Sequence, residues 1–522
     1  MDWGVITHLI CFFCLLSYVS ANNGTRYLTV KRSLLSPFKT VCYGKLGCFY
    51  NGPPFYNPVL RPISLSPFPP ELYLTTFSFY SRRNRQEPYI FTPFSLEAVL
   101  SSSFNVSSWT RIIIPGFLDG ELATTFLQEI KDVYLASMDD NIITVNYAQY
   151  PSYSVAIANA RGLGAQIALL IQFIQKTYGY PAEKFHLVGH SLGAQICAYA
   201  GERIHNLGRI TGLDPGGPGY ENRPDVVILD ASDALFVDVI HTNPGRIIID
   251  GLGTVEDVGH VNFWPAGGRP KGCPLTLLRE FLTGSRNFIP DILTCQHRRS
   301  VEFMIFSFGQ NGCFFVGVEC LSYESFQKGQ CNCGTNGERC RFMGQFSSPA
   351  TNKSRYYLQV GIERPYYCLF QYQVIVFLKV VPEKVTHETT EAALNLIIEG
   401  DSKIQATKTF NINLMEQKKV LHLLITSKVP LGQPRNAVGT LHRAFNLQTI
   451  KQSPVADFKA VMEAIEINYL FPLPKKYTST LLCKKDDLHQ FEKNLTVFST
   501  DACNYLYKNH WKNSTSTFAP EK

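Results

Sequence analysis

Charge is scarce in this chain. Only 17% of its 522 residues are Asp, Glu, Lys or Arg, against 45% apolar residues, a balance that excludes a disordered chain and describes a folded, globular one. No basic cluster is interleaved with aromatics, which argues against nucleic acid as a partner. No internal repeat is evident, so a repeat architecture is not expected. Beyond the N-terminus no segment reads as long and apolar enough to span a bilayer, so no transmembrane anchor is expected. The chain is too long for one compact core, and two or three domains are the expectation.

The N-terminus reads as a removable signal over residues 1–21. Ile10 to Val19 is an apolar run, and Val19-Ser20-Ala21 offers small residues for cleavage, although the start lacks Lys or Arg. A secreted, extracellular protein follows as the expectation. With Cys11 and Cys14 removed, 13 of 15 cysteines remain, and an oxidising compartment turns close pairs into disulfides. Cys42/Cys48, Cys320/Cys331 and Cys333/Cys340 close small loops, while Cys273/Cys295 and Cys483/Cys503 close longer ones. Cys197, Cys313 and Cys368 are left over, and the odd total leaves at least one thiol free or paired between chains. Spacing alone does not fix connectivity, and Cys331-Asn332-Cys333 also suits a metal thiolate, which the secretory context disfavours. Asn-x-Ser/Thr sequons begin at Asn23, Asn105, Asn352, Asn494 and Asn513, which suits a glycosylated surface. Of the net charge of +7, +6 lies from Arg355 onward, with 21 Lys and Arg against 15 Asp and Glu. That excess suits an anionic surface or simply a solvated face.

Phe185-His186-Leu187-Val188-Gly189-His190-Ser191-Leu192-Gly193-Ala194 carries Gly-x-Ser-x-Gly, the nucleophile elbow. Its serine must sit on a strained, tight turn with its oxygen exposed, and glycines on either side leave room for that turn. An apolar strand precedes Ser191, and the small-residue pattern from Leu192 to Arg203 follows as a helix, which is the context the motif requires. From Thr110 the chain alternates strand and helix: Ile112–Ile114, a helix over Glu121–Ser137, Ile142–Tyr147, and a long helix over Ser154–Tyr178. After the elbow come strands at Arg209–Leu213 and Ala234–Ile240. Alternation of this kind predicts a largely parallel sheet in an α/β fold, with function at the carboxyl ends of the strands. Beyond Lys353 the pattern changes. Tyr356–Val360, Tyr372–Val380, Ala393–Ile398 and Val420–Ile425 read as strands without helices between them, which predicts an antiparallel sandwich.

A serine nucleophile needs a base, and the base needs an orienting acid. In α/β-hydrolases the order along the chain is Ser, Asp or Glu, His. Asp214 follows an apolar strand and precedes a Pro-Gly turn. Asp238 lies inside its strand and reads as a structural hydrogen-bonder. The histidines are His241, His260 and His297, and the residues themselves rank His297 only slightly ahead of His260.

The chain resembles the pancreatic lipase family of secreted triacylglycerol lipases, lipoprotein lipases and phospholipases A1. The matching stretches are Val41–Phe49, the elbow, Arg209–Pro215, Phe236–Thr242, Gly259–Phe263 and Cys295–Ser300, in the family's order over about Val41 to Cys340. The resemblance implies an α/β-hydrolase domain over residues 22–348 and a C-terminal antiparallel β-sandwich, PLAT-like, over 353–503, with a flexible tail over 504–522. It implies Ser191 as nucleophile, Asp214 as orienting acid and His297 as base, which leaves Asp238 and His241 structural. It further implies oxyanion donors at the backbone N–H groups of Phe117 and Leu192. Relatives usually carry His-Gly-Phe where this chain has Pro115-Gly116-Phe117, so an altered loop shape is expected rather than a lost donor.

Between Cys273 and Cys295 lie 21 residues, nine of them Leu, Ile or Phe. Leu277, Leu278, Phe281 and Leu282 share a helical face, and the resemblance makes this segment, 273–295, a lid that opens at a lipid surface. Asp225, Asp230 and Asp233 cluster before Phe236, as a hard cation would want. The resemblance assigns a structural Ca²⁺ to Asp225, the Ile228 carbonyl, Asp230 and Asp233. No organic cofactor is expected. The resemblance further implies a lipid substrate at a lipid–water interface, triacylglycerol first and phospholipid second, with a protein cofactor at the C-terminal part as an inherited option. A non-catalytic lipid carrier on the same scaffold is the remaining alternative.

Overall fold

The computed structural model describes residues 38–97, 103–117, 120–246, 250–273, 288–309, 312–350, 352–365, 367–380, 391–401, 403–413, 420–443, 460–484 and 495–506. Within this range the chain forms two compact units. The signal, most of the lid and most of the tail lie outside the described residues, while Asn504 to Leu506, expected as part of the tail, end a helix over Thr500–Leu506.

The first unit takes the chain to Trp264, then Gly268–Phe308 and Gly344–Ser354. A small antiparallel ribbon, β1 (Thr40–Cys42) and β2 (Cys48–Tyr50), opens it, closed by a Cys42–Cys48 disulfide. Then follow β3 (Thr76–Tyr80), β4 (Tyr89–Phe91), β5 (Thr110–Ile114), helix α1 (Gly120–Ser137), β6 (Asn141–Asn146), α2 (Tyr153–Tyr178), β7 (Phe185–His190), α3 (Leu192–Gly201), β8 (Arg209–Leu213), β9 (Phe236–Ile240), β10 (Val261–Pro265) and α4 (Phe288–Phe306). The strands order as β10-β9-β8-β7-β5-β6-β3-β4. Pairing is parallel from β10 to β6 and antiparallel at β3 and β4.

Every residue of β5, β7, β8, β9 and β10 is buried. Burial on both faces is why these strands read as unbroken apolar runs. The core gathers Ile112, Ile114, Leu187, Ile210, Val237 and Val239 with Leu163, Ile167 and Ile171 of α2 and Ile196 of α3. At Gly164 of α2 a Cβ would sit 2.6 Å from that of Tyr199, so a glycine is what lets α2 and α3 meet. The expectation that only the N-terminus could span a bilayer needs correction. Helix α2 is long and apolar enough to do so, an 18-residue window of it having a mean hydropathy of 1.4. However, 78% of that window is buried inside the protein, and its apolar surface is occupied by the core.

The second unit holds residues 309–343, which sequence reading attached to the hydrolase part, together with the chain from Arg355 on. It begins with β11 (Val316–Glu319), helix α5 (Tyr323–Gln327), β12 (Cys340–Phe342) and β13 (Ser354–Leu358), with β11 antiparallel to both other strands. An eight-stranded antiparallel sheet follows: β14 (Phe370–Val380), β15 (Glu391–Gly400), β16 (Gln405–Asn413), β17 (Val420–Ser427), β18 (Pro434–Arg443), β19 (Ala460–Tyr469), β20 (Ser479–Lys484) and β21 (Leu495–Ser499). Its order is β16-β15-β18-β21-β20-β19-β14-β17. Lys408 Nζ of β16 donates to the Leu424 carbonyl of β17 at 2.8 Å. The two ends of the order thus approach each other, and the nearly closed sheet fits the expected β-sandwich.

Further disulfides join Cys273–Cys295, Cys313–Cys368, Cys320–Cys331, Cys333–Cys340 and Cys483–Cys503. The leftover pair Cys313 and Cys368 therefore belongs together. Cys197 stays a free thiol, buried in α3, and burial pushes its pKa well up, which makes it inert.

Candidate active site

Strand β7 ends at His190, and Ser191 turns the chain into α3 with φ +54° and ψ −120°. A non-glycine residue in that region is strained, and the neighbours hold it there. A Cβ on Gly189 would lie 2.5 Å from Ala194 N, and one on Gly193 would lie 2.6 Å from the Pro115 carbonyl oxygen. Both glycines are thus required by close backbone approach. The second brings the end of β5, and with it Pro115-Gly116-Phe117, against the start of α3. Tyr147 Oη donates to the carbonyls of Pro115 and Gly116 at 3.0 and 3.1 Å, while the Phe117 ring meets Tyr153 edge-on. Pro115 therefore sits in an anchored turn.

Asp214 caps the next strand and also has positive φ, +47°. It is fully buried. Its Oδ1 accepts from the backbone N–H groups of Thr242 and Asn243 at 2.8 and 3.1 Å. Its Oδ2 lies 2.6 Å from His297 Nδ1. The carboxyl thus faces three N–H donors, and its contact holds the imidazole with its proton on Nδ1.

His297 sits mid-way along α4, 4% exposed. The Cys273–Cys295 bridge tethers the helix two residues earlier. Gln296 accepts from Asn243 Nδ2 at 3.1 Å, and the His190 ring packs on the His297 ring at 4.6 Å. The helix position of His297 is thus set from three sides.

The other candidates are engaged elsewhere. His241 stacks on Trp264 at 4.0 Å, with its nitrogens at 3.3 Å from the Thr254 carbonyl and Asn262 Oδ1. Burial holds its pKa below the usual imidazole value. His260 Nδ1 accepts from the Val237 N–H at 3.0 Å. Asp238 is clamped by Arg209, with Nε and Nη2 at 2.8 and 2.9 Å. Thr211 donates to it, and His186 lies 2.8 Å from Thr211 Oγ1 and from Arg111 Nη1. This relay is a structural one beneath the strand ends.

Sequence reasoning missed Asn243. Besides its contacts to Asp214 and Gln296, its Oδ1 accepts from Leu252 N–H at 2.8 Å. A residue directly after the Phe236–Thr242 motif carries no signal of its own, because its partners are 9 and 53 residues away.

The acidic loop before β9 is compact. Asp230 caps a short 3₁₀ turn, accepting from Ser232 N–H at 2.6 Å, and Asp233 Oδ2 accepts from Asp230 N–H at 2.9 Å. Asp233 Oδ1 is buried without a hydrogen-bond partner. Burial, reinforced by the Asp230, Glu202 and Asp225 charges, raises its pKa. Asp225 is exposed and Ile228 buried. Among the described residues no trio of His, Cys, Asp or Glu side chains clusters closely enough to hold a metal, so a cation here would need backbone carbonyls.

Residues 39–366 match the family described as Lipase. The chain belongs to the lipase family. Pancreatic lipase-related protein 3 of Homo sapiens is 36% identical over 342 residues, 63% of this chain and 72% of that protein. Pancreatic triacylglycerol lipase of Mus musculus is 34% identical over 365 residues, 67% and 76% of the two chains. Inactive pancreatic lipase-related protein 1 of Mus musculus is 35% identical over 355 residues, 64% and 72%. These relatives place the chain in the pancreatic lipase branch, a family of lipase-type ester hydrolases.

Proposed function

We propose that this lipase is a secreted serine hydrolase that cleaves the carboxylic esters of glycerolipids, triacylglycerol first, at a lipid–water interface. The observation that carries the reading is the 2.6 Å contact of His297 Nδ1 with a carboxyl already fixed by two backbone amides. With that proton held, Nε2 is the basic nitrogen that takes the Ser191 hydroxyl proton as the oxygen attacks the ester carbonyl. His297 then returns the proton to the leaving glyceride alcohol, leaving an acyl-serine. Water, activated by the same nitrogen, releases the fatty acid and restores Ser191. The N–H groups of Leu192 and Phe117 are the donors for the tetrahedral oxyanion. The lid over 273–295 is proposed to gate the acyl site, and six disulfides support export.

Calcium is proposed at Asp230, Asp233, Asp225 and the Ile228 carbonyl. The buried, unpartnered Asp233 Oδ1 beside other acids fits a hard cation. Bound there, it would neutralise the loop that leads into β9. Removing it with a chelator is expected to lower the melting temperature, and restoring calcium but not magnesium is expected to reverse this. No change in melting temperature would overturn the assignment.

The test of the function is a panel of trioleoylglycerol, phosphatidylcholine and a soluble short-chain ester, each with and without an emulsified interface, for wild type and Ser191→Ala. Hydrolysis of trioleoylglycerol that rises at the interface and is lost in Ser191→Ala supports the reading. Faster turnover of phosphatidylcholine would make the protein a phospholipase A1. One relative is named inactive, and equal rates for wild type and Ser191→Ala would favour a lipid carrier.

A further inference from the structure

A pair of carboxyls, Glu221 and Glu256, lies beyond Asp214, and the proposed reaction does not use it. The segment around Gly253 runs beside the site. Its N–H donates to the Asn243 carbonyl and its carbonyl accepts from Gly245, both at 2.9 Å, while Thr254 N–H donates to the Pro215 carbonyl at 2.8 Å. Gly253 faces Asp214 so closely that a Cβ there would lie 2.6 Å from Asp214 Cγ. In a close-packed interior, displacement of this segment displaces the Asp214 carboxyl.

Two carboxyls tie the segment to the turn that follows Asp214, one in each direction. Glu221 Oε1 accepts from Val255 N–H at 3.1 Å, and Glu256 Oε1 accepts from Asn222 N–H at 2.5 Å. Glu221 is 5% exposed, and its Oε2 has no hydrogen-bond partner. A buried carboxyl facing another acid is cheapest when it carries a proton.

We infer that Glu221 is a positioning residue: crossed with Glu256, it holds residues 253–256 against Asp214 and so fixes the group that aligns His297. The inference rests on the assignment of Asp214 and Ser191 made above. The groups that face Glu221 are the Thr254 hydroxyl, the Val255 N–H and the Glu256 carboxyl, with Gly217 on its own turn. Among the described residues no Lys, Arg or His forms an ion pair with it. Burial first, with Glu256 adding to it, pushes the Glu221 pKa up to about 7. Protonated, Glu221 can share its proton with Glu256. Ionised, the two repel. Because the folded pKa lies above the ordinary 4.5, the brace is fully present below that value and fades as pH rises through about 7. The brace therefore sets a decline of activity on the alkaline side.

The experiment compares wild type, Glu221→Ala and Glu221→Gln on p-nitrophenyl butyrate across pH. It also follows the downfield proton resonance of His297 Nδ1–H in each protein. Glu221→Ala is expected to lower kcat about tenfold with KM within about twofold, and to broaden or shift the resonance. Glu221→Gln keeps an acceptor for Val255 and gives Glu256 a donor. It is expected to restore kcat and the resonance and to abolish the alkaline decline. Wild-type kcat and an unmoved resonance in Glu221→Ala would overturn the brace. If Glu221→Ala does not fold, the Glu221→Gln profile decides, and an unchanged alkaline limb overturns it. A resonance that responds in a protein without Ser191-dependent hydrolysis would keep the brace and refute the functional reading instead.

Discussion

Arg209 and Asp238 face each other as ions across β8 and β9 of the first unit, both buried, with Arg111 and Asp140 repeating the arrangement nearby. Buried polar groups in the antiparallel sheet of the second unit include amides. Gln371 Nε2 donates to the Val316 carbonyl and Gln373 Nε2 to the Gly329 carbonyl, both at 2.7 Å, and Asn468 donates to Gln373 Oε1 at 3.1 Å. Both units pair most of their buried polar groups, with exceptions such as Asp233 Oδ1 in the first and Asn468 Oδ1 in the second. The first includes full charges placed under strand ends, where a reaction is proposed to need a rigid frame. In the second, these neutral amides join strand to loop and strand to strand. A buried ion pair is weak evidence for stability but leaves a large penalty when one partner goes. An amide pair loses much less.

That contrast can be broken by substitution. Arg209→Met strands Asp238 as an unpaired buried charge and is expected to destabilise the first unit by about 3–5 kcal/mol, read by chemical denaturation. Loss of less than about 1 kcal/mol would show that the network carries no frame. Gly253→Ala pushes directly on Asp214 and is expected to cut kcat about 10²-fold with little change in denaturation midpoint. Near-normal kcat would show that the Asp214 carboxyl tolerates displacement. Gln373→Leu in the second unit is expected to cost about 1–3 kcal/mol while leaving kcat on a soluble ester unchanged, and a fall in that kcat would contradict the separation of roles.

Legibility followed the same divide. Strands buried on both faces, such as Thr110–Ile114 and Arg209–Leu213, announce themselves as apolar runs, and the elbow is local enough to read whole. Gln405–Asn413 and Pro434–Arg443 passed unnoticed because in an antiparallel sheet half of each strand is polar, and these carry Lys408, Thr409, Asn411, Arg435 and Asn436 in places where a turn reads equally well. At the site, Asp214 was legible as a strand tip. His297 was not separable from His260 on residues alone, because the distinction is made by contacts 83 and 23 residues away. The resemblance to lipases supplied what local pattern could not. Gly253, Asn243 and Glu221 stayed invisible for the same reason: each acts on Asp214 or its neighbours through backbone brought close only by folding.

The most direct measurement of the central claim is mass spectrometry of the protein after reaction with a fluorophosphonate ester mimic, for wild type, His297→Ala and Asp214→Asn. The account predicts a single phosphonylated serine, Ser191, in the wild type, with labelling slowed on the order of 10³-fold or more in both variants. An adduct on another serine, or labelling of Ser191 at the same rate without His297, would contradict it.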